Sequence, residues 1–323
     1  MKIRGIFLLG TIVLLFLSAR REKITVYDLN YVEGNMNYIP TTSFNTGYDD
    51  EDTPYDGTRA KTISVDSFYL CRYEMTNGMY CFYLRELQKA NVDTTIYNKA
   101  LPDTLVWRER FAYNEPYVEY YLRHPAFADY PVVGINYDQA ITFCNWLTKK
   151  YNSWPDRKFK KVKFDLPSKD QWWAAAMGGN DIASYPWDGP SMHNKKGNWL
   201  ANFCVIDQGS VFRDTIDYVN VYGKPAKWVL LVGGNSGDRQ GMADCFNDIS
   251  DVIAPVKSYF PNGYGLYNMA GNVEEMVKEK GITKGGSWHD TGYYLQNSVE
   301  ENYTDSTATS SERGFRMMMT VEK

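Results

Sequence analysis

Apolar and polar residues alternate most cleanly over positions 62–70 (T-I-S-V-D-S-F-Y-L), which predicts one β-strand with a buried face. The period then lengthens. Tyr80, Leu84 and Leu87 recur at helical spacing behind Thr76, a residue type that caps helix N-termini, and the pattern predicts a helix from about position 76. Ala140, Phe143, Cys144 and Leu147 do the same for a helix over about 138–150. Residues 92–130 are aromatic and interrupted by Pro102, Pro116 and Pro125, so they read as loop. The run 157–163 (R-K-F-K-K-V-K) reads as a strand with a solvated cationic face. Pro167 ends that stretch, and Ser168 caps a short helix through Trp172 and Ala175. Beyond Gly178, glycine and asparagine punctuate short turns and strands to the end of the chain.

At the other end, Lys2 and Arg4 precede an apolar run, 6–17, that is shorter than the ~20 residues a free membrane-spanning helix needs. Residues 1–20 therefore read as an export signal or a retained signal anchor, and 21–33 as an N-terminal extension. This places the chain outside the cytoplasm, in the periplasm or attached to membrane by its N-terminus only. No cysteine follows the apolar run to carry a lipid. Without an internal linker or repeat, residues 34–323 read as one irregular α+β domain, carrying the aromatic stretch at about 92–130 as an insertion.

Composition narrows the chemistry. Among 323 residues, 35 Lys and Arg against 39 Asp and Glu give a net charge of -4, which argues against a nucleic-acid partner. Aromatics at 15% supply ample core. The five cysteines (Cys71, Cys81, Cys144, Cys204, Cys245) form no C-x-x-C pair; one disulfide is allowed, and small buried apolar residues are the simpler reading. His124, His193 and His289 show no paired metal-ligand spacing. Residues 233–238 are glycine-rich but lack the Lys-Ser/Thr of a phosphate loop, and Ser287 lacks the G-x-S-x-G elbow. Glu274 and Glu275, as sequence neighbours, should point apart rather than work as an acid–base pair.

Seven motifs in order carry a resemblance: Tyr73-Glu74-Met75-Thr76-Asn77, Pro131-Val132-Val133-Gly134-Ile135-Asn136, Leu166-Pro167-Ser168-Lys169-Asp170-Gln171-Trp172, Tyr185-Pro186-Trp187, the stretch 261–273 (PNGYGLYNMAGNV), Gly285-Gly286-Ser287-Trp288 and Gly314-Phe315-Arg316. The series resembles the formylglycine-generating enzyme (sulfatase-modifying factor) superfamily. The resemblance implies a single domain poor in regular secondary structure, related to the C-type-lectin-like fold. Leu101-Pro102-Asp103, Asn114-Glu115-Pro116-Tyr117, His124-Pro125-Ala126-Phe127 and Tyr293-Tyr294-Leu295-Gln296 further resemble the gliding-motility and type IX secretion lipoproteins of the GldK, GldJ and PorK type in Bacteroidetes. That implies an envelope component working with other proteins of a gliding or secretion assembly, in a possible homo-oligomeric ring. The missing lipid-carrying cysteine is a departure from that type.

The oxidase reaction of the superfamily needs two thiolates on a soft copper ion, placed shortly after Gly-Gly-Ser. Here that segment, 288–295, contains no sulfur; Asp290 and Leu295 cannot replace a thiolate pair. The expectation is a non-catalytic protein that binds no copper. The resemblance also implies calcium. One site falls on Asn268, Gly271, Val273 and Glu275, and a second on Asn202, Phe203, Asp248 and Ser250. Local turn capping would use the same Asn and Asp residues without any metal. Two other functions remain open: a glycan- or peptide-recognition module, or an enzyme with an unrecognised site that includes His289 and Asp290.

Overall fold

The computed structural model describes residues 25–46, 61–90, 93–108, 113–181, 183–205, 252–305 and 307–322, together with four short strands between 211 and 232. Helix α1 (Leu29–Gly34) leads into β1 (Met36–Ile39) and β2 (Thr42–Thr46); β3 (Lys61–Val65) and β4 (Phe68–Cys71) follow. The alternating run 62–70 is thus two strands, not one. It breaks at Asp66 and Ser67, after which β3 pairs with β2 while β4 pairs with β1 in a different sheet. A period-two pattern survives such a break because both halves bury alternate residues, so the pattern alone does not report it.

Helix α2 (Asn77–Lys89) starts where predicted, with the Thr76 hydroxyl accepting from the Met79 N–H. The stretch read as loop is more ordered than its prolines suggest. It holds α3 (Thr94–Ala100), a 3₁₀ turn (Thr104–Trp107), α4 (Glu115–Tyr120) and a second 3₁₀ turn (Pro125–Phe127). Two of the prolines sit in the first turn of a helix, where a missing N–H costs nothing. Helix α5 (Tyr137–Asn152) covers the predicted 138–150.

Strand β5 is Val162–Asp165 only. The start of the basic run is instead a bend, because the Arg157 guanidinium donates to the Trp154 and Lys160 carbonyls. Helix α6 (Lys169–Ala176) carries a reciprocal cap between Ser168 and Gln171. Two hairpin pairs follow, β6 (Val211–Asp214) with β9 (Val229–Val232) and β7 (Tyr218–Val219) with β8 (Pro225–Ala226). The chain closes with β10 (Glu274–Met276), β11 (Ile282–Lys284), β12 (Glu300–Asn302), β13 (Arg313–Phe315) and β14 (Met318–Val321).

The first sheet, ordered β1-β4-β14-β5, packs against two cores. Met317 and Met319 join the core made by α2 and α5, while Met318 between them joins the core under α6. On the α2–α5 side, Tyr80, Tyr83 and Phe143 meet ring to ring, Tyr83 edge-on to Phe143 at 5.4 Å. The second sheet, β12-β11-β10-β13, is antiparallel except for the parallel pair β10–β13. It holds the functional region. The architecture is α+β, as predicted. No helix among the described residues is long and apolar enough to cross a membrane.

Candidate functional site

The recognition motifs converge on one buried polar hub. Arg316, fully buried after β13, donates to Glu275 through Nε (3.0 Å) and Nη2 (2.7 Å), to the Cys71 carbonyl (3.0 Å) and to the Tyr267 carbonyl (2.7 Å). One side chain thereby ties the end of β4, the 267–268 loop and β10 together. The other Glu275 oxygen accepts from Trp172 Nε1 at 2.7 Å, which attaches α6. Glu74 stands beside this pair and accepts from the side chains of Asn268 (3.0 Å) and Asn272 (2.9 Å). Burial pushes the Glu74 carboxyl up to about 8; Arg316 draws it down and Glu275 adds to the rise.

The loop that presents these amides is left-handed at Asn268 (φ 49°), Gly271 (φ 72°) and Asn272 (φ 69°). Asparagine tolerates that region; at Gly271 a Cβ would also overlap the Asn202 carbonyl. The hub contains two carboxylates and one guanidinium, so a proton or a cation must offset the excess charge.

The eight predicted calcium ligands fall as follows. Asn268, Gly271, Val273 and Glu275 lie together on this loop and β10, with Asn202 and Phe203 packed behind it; Asp248 and Ser250 lie outside the described residues. The Oδ1 atoms of Asn268 and Asn202 are buried and have no hydrogen-bond partner among the described residues, which suits a ligand of a hard cation. Asn202 Nδ2 donates to the Val252 carbonyl (2.6 Å) and Asn272 Oδ1 (3.3 Å), fixing its amide orientation. Glu275 is different, since both its oxygens already accept from Arg316 and Trp172. Among the described residues no three His, Cys, Asp or Glu side chains converge as a metal cluster.

The segment after Gly-Gly-Ser leaves the second sheet directly. Asp290 Oδ2 accepts from the Ser287 N–H (2.7 Å) and hydroxyl (2.6 Å), which pins the carboxylate within its own turn. Leu295 is fully buried in an apolar cluster with Ala201, Phe203 and Ala270. His289 Nδ1 lies 3.1 Å from Glu312, at the surface. Cys204, from another part of the chain, donates its backbone N–H to the Asp290 carbonyl at 2.8 Å. Sequence order gave no hint of that neighbour. Cys71 and Cys144 are buried, and burial pushes both thiols up, away from thiolate. His124 caps the second 3₁₀ turn, accepting at Nδ1 from the Ala126 N–H (3.2 Å).

Glu274 and Glu275 point apart, Glu274 to Arg313 (2.7 Å) and Thr283 (2.6 Å). Three charged groups were missed from sequence. Glu74 and Arg316 had appeared only as members of motifs. Lys284 is 2% exposed between the rings of Trp172 and Trp173, at 5.6 and 5.3 Å, and burial pulls it down to about 7.

A buried Arg–Glu–Asn hub thus joins the two four-stranded sheets and the loops of an irregular α+β domain. The Sulfatase-modifying factor enzyme 1-like domain family matches residues 30–321, and the chain belongs to that family. It is 26% identical over 294 residues to the formylglycine-generating enzyme of Mus musculus, covering 85% of this chain and 62% of the mouse protein. The inactive Cα-formylglycine-generating enzyme 2 of Bos taurus is 24% identical over 172 residues, half of this chain and 40% of the bovine one. The solved structure of PvdO from Pseudomonas aeruginosa superimposes with a TM-score of 0.53 at 17% identity, covering 88% of this chain and 93% of that one.

Proposed function

We propose that this protein is a non-catalytic member of the family, a structural and binding component of the bacterial cell envelope resembling the GldK and GldJ proteins of gliding motility and type IX secretion. One observation carries the reading. The two positions at which the resemblance expects copper-binding thiolates hold Asp290, whose carboxylate is occupied by Ser287, and Leu295, which is packed in apolar surroundings. Cys204 meets this segment through its backbone, and one cysteine does not make the two-thiolate soft site that Cu(I) requires. That the family includes proteins named inactive supports a scaffold retained without the reaction.

The contact surface of such a component would be the insertion. Four large apolar side chains stand exposed there: Ile96 (48%), Leu105 (55%), Tyr113 (86%) and Tyr120 (46%). Export, and attachment to membrane by the N-terminus, belong to the same proposal. Calcium would sit at the Asn268 loop, held by the Asn268 side-chain oxygen and backbone carbonyls. There its charge would offset the Glu74–Glu275 excess and stiffen the hub.

The test is direct. The purified protein, incubated with Cu(I) and a cysteine-containing sulfatase peptide, is expected to hold no stoichiometric copper and to leave the peptide cysteine unoxidised; formylglycine in the peptide by mass spectrometry would overturn the reading. Calorimetry of the chelator-stripped protein with calcium is expected to give binding heat and a raised melting temperature. The absence of both would remove calcium from the proposal.

A further inference from the structure

A cavity of about 380 Å³, the size of a small-ligand site, opens beside the C-terminal end of α6. It is preformed. Asn262 Nδ2 donates to the Ala175 and Ala176 carbonyls (2.8 and 3.1 Å) and its Oδ1 accepts from the Tyr264 and Leu266 N–H groups (3.0 and 3.2 Å), so one amide caps the helix and closes the opposing turn. Gly178 (φ 62°) and Gly179 (φ 91°) turn the chain away from the helix, and the backbones of Gly178 and Gly263 approach so closely that a Cβ on Gly263 would overlap the Gly178 carbonyl. No side chain from these glycines fills the space.

Asn268 of the hub reaches the lining, but the other walls differ from the hub in chemistry. Trp187 is a rigid plate, stacked on Tyr185 at 5.2 Å and 9° with its Nε1 donating to the Ser191 carbonyl (2.8 Å). Phe260 lines the same cavity and is 54% exposed. Asp188 stands at the rim, where its Oδ1 accepts from Asn180 Nδ2 at 2.9 Å. Among the described residues it is the single charged one on the lining, and no Lys, Arg or His contributes to it. Among the described lining side chains, a phosphate, sulfate or carboxylate ligand would meet a like charge at Asp188 and no cationic side chain. The lining suits a neutral ligand with an apolar C–H face for the rings and hydroxyl donors for the carboxylate.

We propose that this cavity is a subsite for one neutral pyranose of a glycan, its C–H face against Trp187 and Phe260 and its hydroxyls on Asp188. The inference rests on the reading of the chain as a binding scaffold and gives that scaffold a ligand class. Saturation-transfer difference NMR on the full chain, with glucose, galactose, mannose, N-acetylglucosamine and choline as probes, tests it. The expected result is saturation of ring C–H protons in at least one of the four sugars. Asp188→Asn and Phe260→Ala, both at exposed positions, should each weaken binding by about tenfold. Trp187→Ala should abolish it, with circular dichroism reporting whether that variant folds.

Transfer to none of the sugars, to choline alone, or to sugars with affinity unchanged in both Asp188→Asn and Phe260→Ala would overturn the proposal. A failure here leaves the copper and peptide result untouched. Sugar binding by a protein that also oxidised the peptide would overturn the non-catalytic reading and leave this one standing.

Discussion

Arg316 shows how much of this protein depends on a single side chain. Its guanidinium reaches one carboxylate and two backbone carbonyls at 3.0 Å or less, with no exposure to solvent. Arg316→Met should cost ~3–5 kcal/mol in denaturant unfolding, because Glu275 is left buried without its counter-ion. Adding Glu275→Gln to that variant should recover part of the loss, and a double variant no more stable than the single one would show the ion pair to be incidental. Lys284 makes an opposite prediction. It is buried with Glu300, Lys169 and Asp170 as its charged surroundings, and Glu300 is already paired with Lys169 at 3.3 Å.

Burial holds the Lys284 amine at about 7 against an ordinary 10.5, so the unfolded chain binds this proton more tightly than the folded one. The destabilisation is complete below about pH 7 and is relieved as pH rises toward 10.5. Lys284→Met should therefore be more stable than the parent at pH 6, by up to about 5 kcal/mol, with the gap closing toward pH 10. Thermal unfolding of the pair across that range checks it, and a gap independent of pH would assign the effect to packing.

At the level of helices and strands, sequence signals held where chemistry was local. The caps at Thr76 and Ser168 are examples, and α5, predicted from its apolar spacing alone, adds another: Asn136 Oδ1 accepts from the Gln139 N–H (3.0 Å) and Gln139 Oε1 accepts from the Asn136 N–H (2.8 Å). Gln139 goes further, donating to the Lys99 and Leu101 carbonyls and so anchoring the end of α3. Asn136→Ala should cost ~1 kcal/mol and Gln139→Ala more, measured by urea unfolding. Equal costs would mean that the α3 contacts contribute nothing. Local signals fail over 92–130, where prolines read as breakers although two of them begin helical turns, and over 62–70, where one alternating run feeds two sheets.

In the proposed envelope assembly, the protein should be held to its partners by the insertion rather than by the hub. Tyr113→Ser and Tyr120→Ser together should leave the melting temperature unchanged while reducing recovery in a larger complex from cross-linked envelope membranes. Recovery only as a monomer, for parent and variant alike, would count against an envelope assembly.

Membership of the family, the α+β class and the capped helices could be read from residue order, because glycine turns, capping pairs and helical periodicity act over a few positions and leave local marks. The absence of sulfur between 288 and 295 was equally plain. Only the folded chain could reveal that Glu74, Asn268, Asn272, Glu275 and Arg316 form one charge system, that Cys204 lies against Asp290, or that Trp187, Asp188 and Phe260 surround one cavity. These are contacts between residues far apart along the chain, and nothing in a linear spacing encodes which buried charge will need which partner. Burial sets that demand, and burial exists only once the two sheets and their helices have closed around the hub.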